Sequence, residues 1–107
     1  MPLYNKLVRD LIPDVIDRAG KTYSTRILED EEYILELKKK SFEELEEYMK
    51  TTNTEEAMEE LADLLEIIHA LAECHDTSFK EIEVIRKQKA ITKGAFKNKV
   101  FLIDVED

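Results

Sequence analysis

A chain of 107 residues has room for one domain with a modest core, since a protein of this size buries only about 65% of its unfolded surface. Asp+Glu 25 against Lys+Arg 16 give a net charge of -9, which excludes a general phosphate-backbone binder, because such proteins present a basic face. The one cysteine, Cys74, excludes an intrachain disulfide, and the first residues hold neither a long apolar run nor a small-residue cleavage site, so a cytosolic setting without membrane or nucleic-acid partners is expected.

Two glycines and two prolines are the only strong punctuation, which favours helices and leaves no candidate interdomain linker. Pro13 suits the first turn of a short helix through Val15, Ile16 and Ala19, and Gly20 can close it in the left-handed conformation that side chains disfavour. Lys21 to Thr25 reads as a loop. Asp30 is the expected cap of a long helix to about Met49, in which Ile34, Leu37, Ser41, Leu45 and Tyr48 recur at helical spacing. The turn Thr51-Thr52-Asn53-Thr54 follows, and Asn53 with Glu56 has capping-box spacing for a third helix, about Glu55 to Cys74. Its apolar face holds Met58, Leu61, Leu64, Leu65, Ile68, Leu71 and Ala72. The uncharged stretch from Ile67 to Ala72 is far below the roughly 20 residues a membrane helix needs. Ser78 and Glu81 offer another capping box for a helix through Ile82, Ile85 and Lys89, with Gly94 at its end. Val100 to Val105 is apolar and β-prone, and is expected to pack on the domain or on a neighbouring subunit.

Inside these helices one short acidic phrase occurs twice: Glu43-Glu44-Leu45-Glu46-Glu47 and, sixteen positions later, Glu59-Glu60-Leu61-Ala62-Asp63. On a wheel of about 100° per residue, Glu44 falls beside Leu37 and Tyr48 at the margin of the apolar stripe, and Glu47 lies further out. Ile67 lies in angle between Glu60 and Asp63, so those two acids border the buried face, whereas Glu66 and Glu73 point to solvent. Helices rich in Glu and Lys are commonly solvated faces laced with i,i+4 pairs, here Glu36 with Lys40 and Lys40 with Glu44. Against that, an uncompensated carboxylate on an apolar face costs several kcal/mol, and the short turn makes the two helices antiparallel neighbours. Four converging carboxylates would suit a divalent cation, because hard ions take oxygen ligands. His69 reads as a structural histidine and Cys74 as a small buried hydrophobe. Tyr4, Tyr33, Tyr48 and Phe42 fall mostly in the core by spacing.

Glu-x-x-Glu on one helix followed by Glu-x-x-Asp on the next, carried by Glu44, Glu47, Glu60 and Asp63, resembles the all-α nucleotide pyrophosphohydrolases of the MazG type. The flanks are similar to those of the small stand-alone, phosphoribosyl-ATP pyrophosphohydrolase-like members. They are Asn5-Lys6-Leu7-Val8-Arg9-Asp10-Leu11-Ile12-Pro13 near the start and Lys89 with Lys93-Gly94-Ala95-Phe96 near the end. Ala95 stands where relatives often carry a second glycine. The resemblance implies an all-α fold: an antiparallel helical bundle, a homodimer or homotetramer, with a short extended C-terminal segment. It also implies magnesium-dependent cleavage (manganese as a substitute) of a nucleoside triphosphate to monophosphate and pyrophosphate, in nucleotide-pool house-cleaning. By position in that pattern Glu44, Glu47, Glu60 and Asp63 are the implied metal ligands, with Glu44 or Glu47 orienting or deprotonating the attacking water. Lys6, Arg9, Lys89 and Lys93 are candidates for the outer phosphates, since Arg grips two oxygens and Lys supplies a point charge. Lys40 and Glu43 fit equally beside the site. The alternatives are phosphoribosyl-ATP hydrolysis by the same chemistry, and a non-catalytic helical interaction module whose acids are solvated.

Overall fold

Residues 2–107 are described by a computed structural model, in which four helices and no strand are formed. They are α1 (Ile12–Arg18), α2 (Asp30–Met49), α3 (Thr54–Cys74) and α4 (Phe79–Lys93). The all-α class expected from the sparse punctuation is the class observed.

Each terminus follows from its local residues. Pro13 sits in the first turn of α1, where its missing N–H is not needed. Gly20, at φ +76, lets its N–H reach the Asp17 carbonyl at 2.9 Å and that of Lys21 reach Ile16 at 3.2 Å. These are the two bonds of a Schellman closure. Asp76 closes α3 in the same way at φ +56, with Asp76 N–H on Glu73 and Thr77 N–H on Ala72. Asp30 is not the cap of α2: Glu29 holds that place without a side-chain bond, and Asp30, Glu31 and Glu32 fill the first turn. Three carboxylates there satisfy the helix dipole, so the end is stabilised by charge rather than by a cap. Asn53 does cap α3, its Oδ1 accepting the Glu56 N–H at 2.9 Å. The returning arm differs, because the Glu56 carboxylate accepts from the N–H of Thr52 at 3.4 Å. Ser78 precedes α4 but its side chain makes no capping bond.

Four residues, 50–53, separate α2 from α3, so the two helices fold back on each other and form the main packing of the chain. Among the described apolar residues only Leu37, Ile67 and Ala72 are buried, at 4%, 5% and 2% exposure. A smaller contact joins α3 to α4, where the rings of His69 and Phe79 stack with centroids 4.1 Å apart. His69 is therefore a packing residue. Replacing Leu37 by Ala should lower the unfolding free energy by about 2–5 kcal/mol, a large share of the roughly 5–15 kcal/mol typical of small domains. A urea titration followed by circular dichroism would measure it, and an unchanged midpoint would remove Leu37 from the core.

Several side chains expected inside are outside. Leu45, Met58, Leu61 and Leu65 are exposed, as are Tyr4 and Phe42, while Tyr33, Tyr48 and Cys74 are half-buried. A helix packed against one neighbour covers only one side, and the apolar stripes of α2 and α3 are wider than that side. The expected Glu36–Lys40 pair is replaced by Glu36 with Lys39 at 3.1 Å, leaving Lys40 to Glu44 at 3.7 Å. Residues 100–105 form no strand and do not pack on the domain, every one of them being exposed.

Candidate metal centre

Glu44 lies seven positions after Leu37 on α2, and Glu60 seven positions before Ile67 on α3. Seven residues are close to two helical turns, so each acid shares the stripe of its buried leucine or isoleucine, displaced toward the connecting turn. Because the helices are antiparallel, the displacements coincide and the acids face each other across the helix pair. Asp63, one turn from Glu60, points into the same space. One carboxylate oxygen from each of Glu44, Glu60 and Asp63 lies within 4.8 Å of the others, and all three residues are half-buried. The donor set fits magnesium or manganese in kind, being all oxygen and anionic. Octahedral ligands at 2.0–2.1 Å from an ion lie about 2.9 Å apart when cis and at most about 4.2 Å when trans, so these oxygens would draw together on sharing one ion.

The negative charge of this cluster is already partly answered by the chain. Lys40 Nζ stands 3.7 Å from Glu44, and Arg9 Nη2 donates to Asp63 Oδ1 at 2.7 Å across 54 positions of sequence. Lys6 Nζ donates to Glu43 Oε1 at 3.3 Å. No cation among the described residues pairs with Glu60, which instead feels hydrogen bonding from the Glu44 carboxyl and the charges of Glu44, Asp63 and Glu47. These interactions, the Glu44 bond foremost, raise its pKa above the usual 4.5. An open groove of about 240 Å³ adjoins the cluster on the α2 side, lined by Asn5, Lys6, Leu7, Glu36, Lys39, Lys40 and Glu43.

Of the four acids expected to ligate, Glu44, Glu60 and Asp63 come together and Glu47 does not join them. Glu47 is exposed, although its charge reaches Glu60. Lys6 and Arg9 are brought to the acids by the non-helical stretch before α1. Lys89 and Lys93 lie exposed on α4, and no hydrogen bond or ion pair among the described residues joins them to the cluster. Lys39, unremarked in the sequence, lines the groove; its only signal was adjacency to Lys40 one turn before Glu44. No family model, curated protein or solved structure matches this chain, so the acids are read from their own geometry. No helix among the described residues is long and apolar enough to cross a membrane.

The raised pKa of Glu60 has a definite consequence for metal-free protein. A group whose folded pKa exceeds its unfolded value stabilises the fold below the unfolded value, and that contribution is lost as pH rises through the folded one. The melting temperature should therefore fall as pH is raised from about 4.5 through the elevated Glu60 value, as Glu60 ionises beside Glu44, Asp63 and Glu47, with only Arg9 and Lys40 nearby. Glu32 and Glu83, whose pKa values are lowered by hydrogen bonds from Arg26 and Arg86, act oppositely and below 4.5. Subtracting a Glu60→Gln melting profile from that of the parent isolates the effect. A flat difference would show that the acids do not feel one another.

Proposed function

We propose that this chain is a magnesium-dependent nucleoside triphosphate pyrophosphohydrolase that works as a homo-oligomer, its ion held by Glu44, Glu60 and Asp63. The observation that carries the reading is the convergence of those three carboxylates from two antiparallel helices at the half-buried margin of the core. A merely solvated acidic face does not need this arrangement, because exposed acids spread apart to lower their repulsion. The MazG-like pattern Glu44, Glu47, Glu60 and Asp63 supports the same reading, as do the cations lining the adjoining groove.

A bound divalent ion would supply Lewis acidity at the phosphoryl oxygen and a water of lowered pKa. The residues supply the rest. Glu44, Glu60 and Asp63 would hold the cation, whose charge would let a polyanionic substrate approach an acidic protein. By the MazG-like pattern Glu44 or Glu47 would orient the water or accept its proton, Glu44 from within the cluster and Glu47 from the exposed side beside it. Lys6, Lys39 and Lys40, paired in the free protein with Glu43, Glu36 and Glu44, would turn to the outer phosphates, so the protein's part is mainly position and charge. Phosphoribosyl-ATP would use the same groups. The direct test is pyrophosphate release from a panel of canonical and modified nucleoside triphosphates, with phosphoribosyl-ATP alongside, in the presence of magnesium. No release from any of them by protein that binds the ion would overturn the reading.

The homo-oligomer rests on surface area. At 12.5 kDa a compact monomer exposes about 6,200 Å² and has a radius of gyration of about 13 Å. This chain exposes 10146 Å² and has a radius of 18.3 Å. Part of the excess belongs to the terminal segments, and part to two apolar helix faces. Leu35, Phe42 and Met49 recur every seven positions along α2, and Met58, Leu61 and Leu65 form an exposed stripe on α3. An obligate interface takes about 1,000–2,500 Å² from each partner, so the excess near 4,000 Å² leaves enough for one after the terminal segments are set aside. A second copy of the chain is the partner proposed for those faces.

A further inference from the structure

The ten residues before α1 form no helix, and α1 itself packs on no other helix. What joins this stretch to the helix pair is chiefly charge. Asn5, at φ +45, bends the chain in a conformation that Asn tolerates better than most residues, and Lys6 and Leu7 then lie against α2. Lys6 donates to Glu43 at 3.3 Å, and four residues after Asn5 the guanidinium of Arg9 donates to Asp63 at 2.7 Å. Beyond Arg9 its own carbonyl accepts the Ile12 N–H at 3.1 Å, which ties it to the start of α1. The same stretch supplies one wall of the groove beside the acids. It is a strap laid across the site, fastened at both ends by ion pairs that remain accessible to solvent.

We infer that Arg9 is a displaceable counter-ion of Asp63, which competes with the divalent ion for that carboxylate and, once displaced, serves the phosphates of the substrate. This inference rests on the metal reading given above. A guanidinium stays charged at every accessible pH, so Arg9 and a divalent ion cannot share Asp63 without direct repulsion. Asp63 is the one acid of the three that such a mobile cation answers, because Lys40 is fixed to Glu44 within one helix face. Arg9 follows three residues after Lys6, which lines the groove, and the fork of donors on its freed guanidinium matches phosphate oxygens. Ion binding and strap release are then one event, which keeps Asp63 neutralised in the empty protein and presents Arg9 only when an ion is in place.

Removing Arg9 should therefore tighten ion binding and weaken nucleotide binding, a split that simple loss of a structural contact does not give. Manganese binding would be titrated calorimetrically, without nucleotide, for the parent, Arg9→Ala, Arg9→Lys and Arg26→Ala, with helicity checked by circular dichroism. An exposed ion pair is worth up to about 1 kcal/mol, so Arg9→Ala should bind manganese about two- to fivefold tighter. Arg9→Lys should fall between that variant and the parent. Arg26→Ala, whose partner Glu32 is elsewhere on α2, should match the parent. In turnover, Arg9→Ala should raise the nucleotide KM more than it lowers kcat. Manganese bound equally or more weakly by a folded Arg9→Ala overturns the strap and leaves the metal reading standing. Manganese bound by neither parent nor variant overturns both, and binding by the variant alone supports the strap.

Discussion

A Glu60→Gln protein should lose pyrophosphate release by about a hundredfold to a thousandfold, the scale on which charged groups at a reacting centre act. The same protein should melt no lower than the parent in the absence of metal. Among the described residues Glu60 is the acid of the cluster without its own cation, and its neighbours raise its pKa, so replacing it by a neutral isostere removes repulsion rather than support. With magnesium present the order reverses. The parent gains stability through ligand linkage, by about 2.7 kcal/mol at a hundredfold excess over the dissociation constant, and the variant gains little. Differential scanning fluorimetry with and without magnesium, run beside the pyrophosphate assay, reads all three quantities. A variant that melts lower without metal would show that Glu60 supports the fold. A parent whose melting point ignores magnesium would remove the ion from the site.

Introducing charge on the open face of α3 should dismantle the assembly. A Leu61→Glu, Leu65→Glu double variant places two carboxylates where a second copy is proposed to pack, and each buried unpaired carboxylate costs several kcal/mol. At 1.4 kcal/mol per tenfold, the dissociation constant should rise by more than a hundredfold, which sedimentation at micromolar concentration resolves as conversion to monomer. Neither residue belongs to the buried set of the single chain, Leu61 being 46% and Leu65 43% exposed. The monomer should therefore retain its helices but unfold at lower temperature, since few other apolar contacts hold it. A parent that sediments as a monomer at tens of micromolar would dispose of the proposed second copy. A double variant that assembles as well as the parent would place the interface elsewhere.

The helices themselves were legible because their signals are local. Asn53 caps through a bond to a residue three positions away, Gly20 closes α1 through its own backbone freedom, and the apolar repeat of α3 needs only a helical period to be recognised. Where local signals compete, the reading failed. Asp30 has the side chain of a cap, yet a first turn of three acids can be stabilised by the dipole with the helix starting one residue earlier. Ser78 has the spacing of a capping box and makes no such bond. Periodicity also cannot say how much of an apolar stripe has a neighbour, which is why Met58, Leu61 and Leu65 share the apolar stripe of α3 and yet lie exposed.

By itself the sequence determined that the chain is all-α, that its acids recur on two helices joined by a short turn, and that Glu60 and Asp63 border the buried side of α3. Those statements follow from helical period and chain connectivity, which depend on neighbours within about a turn. The tertiary structure alone decided which carboxylates meet. Seven-residue offsets from Leu37 and Ile67 bring Glu44, Glu60 and Asp63 within 4.8 Å, while Glu47 stays on the exposed side. It also decided that Arg9, 54 positions from Asp63, sits on it at 2.7 Å. Such a pairing depends on how the chain returns through space, and no periodicity along the sequence encodes it.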